Sequence, residues 1–383
     1  AMLKVSSAPY DADGLAGCMK ANGIARAYAV YDSAAGKVRV SHTALQPLAE
    51  LLEQDEIDFH KHEGLFFELS PCGTLMGAFV WWTYRGQAAG GVRFRGYSTT
   101  EEYIRDGMRL ALGMGRKNAL AGIWWGGGKG VCVHPPDGRH TDPTYRKDLF
   151  QSYGKFLTSI GGCYVTAEDS GVTVTDVDNV FSHTRFATCI SPSLGGSGNP
   201  SILTSFGVAS AMQAALESLS MGDLAGKTVV VQGLGQVGLP LVQKLLELKV
   251  GRVVAAESSE TRIQEVRAVL GEDERVEIRL VPFGDNTILS EPCDILSPNA
   301  WGGVLNAETI PTMKCTPSPL SPISSLSLSP SPLSSLSLPS SLPLCPLPLL
   351  SRAPTPQPCS SFQLSSLFSL LHSLSLSLIH CAC

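Results

Sequence analysis

A two-domain α/β fold is predicted for this chain from three observations. Strand-like and helix-like stretches alternate from Leu224 to about Asn299. A Gly-x-Gly-x-x-Gly turn sits between the first of those strands and its helix. About two hundred residues of hairpin and amphipathic-helix pattern come before them. Alternation of this kind implies a parallel sheet with crossover helices, and 383 residues suffice for two cores. The boundaries read from the sequence are 1–200 for the first domain, 201–315 for the second and 316–383 for a low-complexity tail.

In the first domain, "LFFEL", a "CGT" turn and "LMGAFVWWTYR" have the pattern of a hairpin, and "GVRFRGYS" is a further extended piece. A helix follows, opened by Thr99 and Glu102 at capping-box spacing and striped by Ile104, Met108, Ala111 and Leu112. "KDLFQSYGKFLTSI" and "VTDVDNVF" read as two more helices. "PSILTSFGVASAMQAALESL" reads as a longer one placed to connect the domains. In the second domain, "KTVVVQ", "GRVVAAE", "VEIRLV" and "CDILSPNAWGG" are strands, with "GLPLVQKLLEL" and "ETRIQEVRAVLG" the helices between them.

Bulk chemistry narrows the function. A net charge of −5 gives no basic face for nucleic acid. The eleven cysteines are scattered without a CxxC pair, and the early ones, Cys18, Cys72, Cys132, Cys163, Cys189 and Cys293, read as reduced thiols of a cytoplasmic protein. The N-terminal stretch shows neither a signal-peptide core nor transit-peptide arginines, and an organelle address lost with the N-terminus stays open. No metal site is expected.

From Thr316 onward Ser, Leu and Pro dominate. Twelve prolines forbid long helices, and Arg352 is the one charge. The Leu/Ser alternation near the end suits a strand better than a membrane span. Two readings stand for this tract, a translated intron or repeat and a disordered tail.

The chemistry begins with Gly233, Gly235 and Gly238. The first allows a tight turn, the second lets backbone approach a pyrophosphate, and the third packs helix on strand. Glu257 ends the next strand 24 residues beyond Gly233, where an acid binds a ribose diol and repels a 2′-phosphate. The pattern therefore favours NAD over NADP; an unrelated glycine turn with a solvated Glu257 stays open. In "IWWGGGKGV", Lys129 is no phosphate-loop lysine, because Ile123 stands where that motif needs glycine and Gly130 where it needs a hydroxyl. One reading is a flexible turn with an exposed lysine. The other joins Lys129 to Lys117 and to Glu168 and Asp169 of "YVTAEDSGVT". Two cations and a carboxylate in a glycine-lined cleft can bind an acid and activate water. Asp169 or Ser170 as a plain helix cap remains the alternative, and Trp124 and Trp125 are read as packing.

"KNALAGIWWGGGKGV", "YVTAEDSGVTVTDVDNV", "SGNPSILTSFGV", "GKTVVVQGLGQVG" and "CDILSPNAWGG" followed by "ETIP" resemble the Glu/Leu/Phe/Val dehydrogenase family, nearest its leucine, valine and phenylalanine branch. The similarity runs from about His62 to Met313. It implies a substrate-binding and dimerisation domain, a Rossmann-type NAD-binding domain and a homo-oligomer. The implied reaction is oxidative deamination of a branched-chain or aromatic L-amino acid to the 2-oxo acid, ammonium and NADH. By the resemblance, Lys129 activates water and Asp169 shuttles protons. Lys117 holds the substrate carboxylate beside Gly90 and Gly91. Thr188 lines the cleft, with Thr204 on the nicotinamide side. Ala89 hints at a larger side chain and Ala167 at a branched one. Pro135 before Pro136 departs mildly from the family. The Asn-rich strand-turn and closing segment are not recognisable after Cys315, so the Rossmann domain is read as incomplete. The alternative expectation is accordingly a catalytically inactive, truncated member that binds or dimerises.

Overall fold

The computed structural model describes residues 2–300, 302 and 304–315, and the tail read at 316–383 lies outside them. The chain forms two compact units dividing between Phe206 and Gly207.

In the first unit the elements run α1 (Leu15–Ala21), β1 (Arg26–Asp32), β2 (Lys37–Val40), α2 (Gln46–Gln54), β3 (Gly64–Leu69), β4 (Leu75–Trp82), β5 (Ala88–Ala89), β6 (Val92–Arg95), α3 (Thr100–Leu120), β7 (Gly126–Val133), α4 (Pro143–Ser159), β8 (Tyr164–Val165) and α5 (Val174–Phe181). They build an eight-stranded sheet in the order β2-β1-β3-β4-β7-β5-β8, with β6 also pairing to β7. The predicted hairpin is β3 and β4, antiparallel in register Leu65↔Phe79, and its turn is closed by Ser70 N–H on Thr74 O at 2.9 Å.

Strand alternation sends side chains to two cores. Phe79, Val131 and Val133 pack with Ile104, Met108 and Ala111 of α3 on one face, while Ala78, Val80 and Cys132 pack with Leu149, Tyr153 and Val177 on the other. The α3 stripe is buried as its periodicity predicts, and each large side chain in it contributes about 2 kcal/mol. Its cap differs in one detail. Thr99 Oγ1 accepts from Glu102 N–H at 3.0 Å, but the Glu102 carboxylate turns back to Ser98 N–H at 2.8 Å rather than to Thr99. Sequence reading missed the β1–β2 hairpin, α1, α2 and the two-residue strands β5 and β8.

The helix α6 (Ser201–Ser218) runs across the division. Beyond it come β9 (Thr228–Gln232), α7 (Gly238–Glu247), β10 (Arg252–Glu257), α8 (Glu260–Leu270), β11 (Val276–Leu280) and β12 (Ile295–Pro298). All pairings are parallel, in the order β11-β10-β9-β12. The chain thus winds outward from β9 through β10 and β11, then returns to the other side of β9. That reversal makes a switch point between β9 and β12, and ligands of open α/β sheets bind in the crevice at the carboxyl ends of the strands flanking such a point.

The strand β7 lies deepest, with all eight residues buried. A Cβ on Gly127 would stand 2.5 Å from Ala111 O and 2.8 Å from Gly115 Cα, both in α3. Hydrogen at that position is therefore what lets helix and strand backbones touch. Gly127→Ala must push α3 away, and an expected loss of about 2 kcal/mol is checked by urea unfolding against the unaltered chain.

Candidate functional site

Lys129 stands in the middle of β7, paired with Phe79 of β4, and is 4% exposed. The flexible-turn reading is thereby replaced by a strand. Its ammonium meets Asp169 Oδ2 directly. Asp169 follows β8 in a segment that runs beside β6, where Val92 N–H bonds Ala167 O at 2.9 Å and Val92 bridges Glu168. Asp169 does not cap the next helix. Thr173 does so, with a full capping box to Asp176.

Gly90 and Gly91 belong to the same place. A Cβ on Gly91 would lie 2.7 Å from Asp169 Cβ, and one on Gly90 1.9 Å from Gly128 O. The Tyr164 hydroxyl donates to Gly90 O and fixes that peptide. Lys117 lies half-buried in the last turn of α3. Its neighbour Asn118 anchors that turn, donating to Gly126 O at 2.7 Å and to Ala89 O at 3.5 Å. Thr188 is tied to Thr166, N–H to O at 2.8 Å, and Thr204 Oγ1 donates to Pro200 O at 2.9 Å. Lys129, Asp169, Gly90 and Gly91 are thus brought together, while no hydrogen bond or ion pair joins Lys117, Thr188 or Thr204 to the Lys129–Asp169 pair.

Burial pushes the Lys129 ammonium below its ordinary range. Asp169 opposes that shift and Arg93 adds to it. Burial alone would raise Asp169, yet Lys129 and then Arg93 overturn this and hold its carboxyl at about 2. Glu168 is pushed up to about 7 by burial and by the nearby carboxylates of Asp176 and Asp169. Its Oε2 is buried without a hydrogen-bond partner.

Sequence reading missed Arg93. Its Nε is 3.4 Å from Asp169 Oδ2, and its Nη1 lies 3.2 and 3.1 Å from the two oxygens of Asp106. The available signal was a charge inside "GVRF", between two apolar residues that β6 buries. Trp124 is a correction as well: it is 77% exposed, with the Arg85 guanidinium over its ring, so it is not core packing.

In the second unit Gly233 has φ +89°, a left-handed conformation that favours glycine. A Cβ on Gly238 would meet Gly233 O at 2.0 Å, whereas Gly235 has open space around its Cα. Ala300 and Asn299, just past β12, border Gly233 across the switch point. The N-cap residue of α7, Val237, makes no side-chain cap bond, and an uncapped helix start of this kind suits an anion. Glu257 holds the loop: Oε2 accepts from Leu234 N–H at 3.1 Å, and Oε1 from Ser258 and Ser259 N–H at 2.7 and 3.1 Å. A tight turn, an open middle glycine, an uncapped helix and an acid at the next strand end together fit a dinucleotide with an unsubstituted ribose diol. Among the described residues, no group of three His, Cys, Asp or Glu side chains converges as a metal site, and no helix is long and apolar enough to cross a membrane.

Two family models match the chain. They are the Glu/Leu/Phe/Val dehydrogenase dimerisation domain over residues 78–186 and Glutamate/Leucine/Phenylalanine/Valine dehydrogenase over 195–316. Leucine dehydrogenase of Geobacillus stearothermophilus is 38% identical over 237 residues, 61% of this chain and 60% of that one. Valine dehydrogenase of Streptomyces coelicolor is 40% identical over 236 residues, 60% of this chain and 61% of that one. The chain therefore spans about three fifths of the length of these relatives. The hetero-hexameric glutamate dehydrogenase of Thermus thermophilus shares the fold, with a TM-score of 0.52 at 22% identity, covering 76% of this chain and 64% of that one.

The ion pair carries a pH signature. In Asp169→Asn the buried ammonium loses its counter-charge, so Lys129 in the folded chain titrates further below the unfolded value near 10.4. Between those two values the unfolded chain binds a proton that the folded chain has released, so stability rises with pH across that window. The expected result is a loss of about 3 kcal/mol near neutral pH that shrinks toward about pH 10, read by urea unfolding at both.

Proposed function

Because the chain belongs to the Glu/Leu/Phe/Val dehydrogenase family, we propose that it oxidatively deaminates an L-amino acid to the 2-oxo acid and ammonium, with NAD as the hydride acceptor. The observation that carries this reading is the buried Lys129–Asp169 pair on a glycine-rich strand.

In the proposed reaction Lys117 binds the substrate α-carboxylate beside the Gly90–Gly91 backbone. A nicotinamide dinucleotide held at the Gly233–Gly238 turn would supply the acceptor for the hydride that leaves the substrate Cα. Lys129 in its neutral form takes a proton from the water that attacks the substrate iminium carbon and polarises the resulting hydroxyl. Its lowered pKa supports that task, since an ammonium with an ordinary pKa holds its proton too tightly near neutral pH. Asp169, ionised, exchanges protons with the departing amino group. Thr188 lines the substrate, and Thr204 contacts the nicotinamide side. Gly233, Gly235, Gly238 and Glu257 hold the dinucleotide, and the carboxylate disfavours a 2′-phosphate.

The substrate class is branched-chain or aromatic, and the leucine and valine dehydrogenases among the relatives support the branched-chain part. Residues 1–200 serve substrate binding and homo-oligomer formation, supported by the dimerisation-domain match, and residues 201–315 serve the dinucleotide. A cytoplasmic setting is part of the proposal. The alternative of a non-catalytic binding protein gains no support from the named relatives, each of which is a dehydrogenase.

The test uses the purified full chain, NAD⁺ and a panel of L-leucine, L-valine and L-phenylalanine, followed by the absorbance of reduced nicotinamide. Turnover is expected with NAD⁺ and at most weakly with NADP⁺. Lys129→Ala is expected to lower kcat by about 10³-fold with unchanged circular dichroism. Absence of turnover with every amino acid overturns the proposal. In Glu257→Ser the preference for NAD⁺ over NADP⁺ is expected to narrow about tenfold, roughly the weight of one charge contact, measured as the ratio of the two kcat/KM values.

A further inference from the structure

We propose that Arg93 is a positioning residue for this reaction: clamped by Asp106 and Tyr97, its guanidinium receives the Asp169 carboxylate when Lys129 gives up its proton. The inference rests on the deamination reading of the same site.

Three elements build the clamp. Arg93 lies in β6, Asp106 on α3 and Tyr97 in the turn between them. Asp106 takes Arg93 Nη1 at 3.1 and 3.2 Å, and the Tyr97 hydroxyl donates to Asp106 Oδ2 at 2.7 Å. This holds the guanidinium in place with Nε beside Asp169. Nε is buried, stands 3.4 Å from Asp169 Oδ2 and makes no hydrogen bond. A buried donor left without an acceptor is destabilising. Here the acceptor that would relieve it is already adjacent, held instead by Lys129. A tether between sheet and α3 needs only the Asp106 contact; it gives no account of the waiting Nε.

The chemistry supplies the reason. To act as a base Lys129 must be neutral, and in that form Asp169 loses its nearest cation. With no second cation, proton loss from the pair would be shared between amine and carboxyl, and the two would titrate as one unit. A guanidinium stays charged at every working pH. Arg93 therefore keeps Asp169 ionised and oriented while Lys129 cycles, and its charge also disfavours the ammonium form of Lys129. The other groups around Asp169 do not replace it. Tyr164 on β8 is engaged with Gly90 and Thr166. Glu168 and, behind it, Asp176 on α5 are carboxyl groups, and the Ser170 backbone brings a dipole only.

The experiment reads Lys129 directly. Competitive acylation with acetic anhydride across pH, followed by peptide mass analysis, reports the midpoint at which Lys129 becomes nucleophilic, whether or not the chain turns over. In Arg93→Gln a positive charge is gone, so Lys129 holds its proton more tightly. Its midpoint is expected to rise by about one pH unit, which lowers labelling near neutral pH about tenfold. Asp106→Asn cuts the tether and keeps the cation, so its midpoint is expected not to rise. A purely structural Arg93 predicts the same loss of thermal stability in both variants with the midpoint unmoved, and that result overturns the inference. Should Arg93→Gln not fold, Arg93→Lys decides. It keeps the charge and loses the fork, so the midpoint is expected to stay and kcat to fall about tenfold at constant KM; an unchanged kcat overturns the positioning role. A shifted midpoint in a chain that turns over no amino acid sinks the deamination reading and leaves the charge relation standing. Turnover without a shift sinks only the inference.

Discussion

An ammonium group buried in the centre of a sheet is the constraint around which the first unit is arranged. Lys129 is 4% exposed, and leaving a lone charge in such a place costs several kcal/mol. Asp169 meets that cost at close range, and Arg93, Asp106 and Tyr97 extend the pairing outward to α3. Charge alternates along this line as ammonium, carboxylate, guanidinium, carboxylate. Each member faces an opposite charge, and the line of groups crosses from β7 through β6 to the helix that opens with Thr99. The lowered pKa of Lys129 and an ionised Asp169 are two faces of the same arrangement.

The second unit solves a different problem with simpler means. Its four parallel strands carry their apolar residues into two clusters, one under α7 and α8 and the other under Ile288, Leu289 and Cys293. The reversal of winding between β9 and β12 leaves the turn at Gly233 open at the carboxyl end of the sheet. Glu257 reaches back from the end of β10 to the N–H of Leu234, so the acid proposed for the ribose also braces the glycine loop.

What could be read from the residues alone follows the strength of the periodic signal. The apolar stripe of α3, the β9-turn-α7 unit and the hairpin of Leu65 and Phe79 were legible, because each repeats a pattern over several residues. The pairing of Lys129 with Asp169 was reached as a juxtaposition of residue types forty positions apart, not as a geometry. Arg93 was not reached. In "GVRFRG" an arginine between Val92 and Phe94 looks like the wet side of a half-buried strand, and only the placement of Asp106 over it turns that side into an interior. The alternative that gave the cap of α5 to Asp169 or Ser170 fails, because Thr173 and Asp176, which have the spacing of a capping box, form it. Strands of two residues such as β5 and β8 carry no period at all. Trp124 misled because its apolar mass says nothing about the loop that lifts it off the protein.

Four glycines flank Lys129 on β7, and a methyl group on any of them would come within 3 Å of something that does not yield easily: Trp82 O at 1.9 Å from Gly126, Ala111 O at 2.5 Å from Gly127, the Tyr164 ring at 2.6 Å from Gly128, and the Tyr153 hydroxyl at 2.2 Å from Gly130. Such a strand is closed to variation. Descendants of this chain can retune what they recognise only through segments that face the strand, while the lysine and its immediate setting pass unchanged from one specificity to the next. The hydrogen atoms on those four α-carbons thus separate the heritable chemistry of the site from its adaptable preferences.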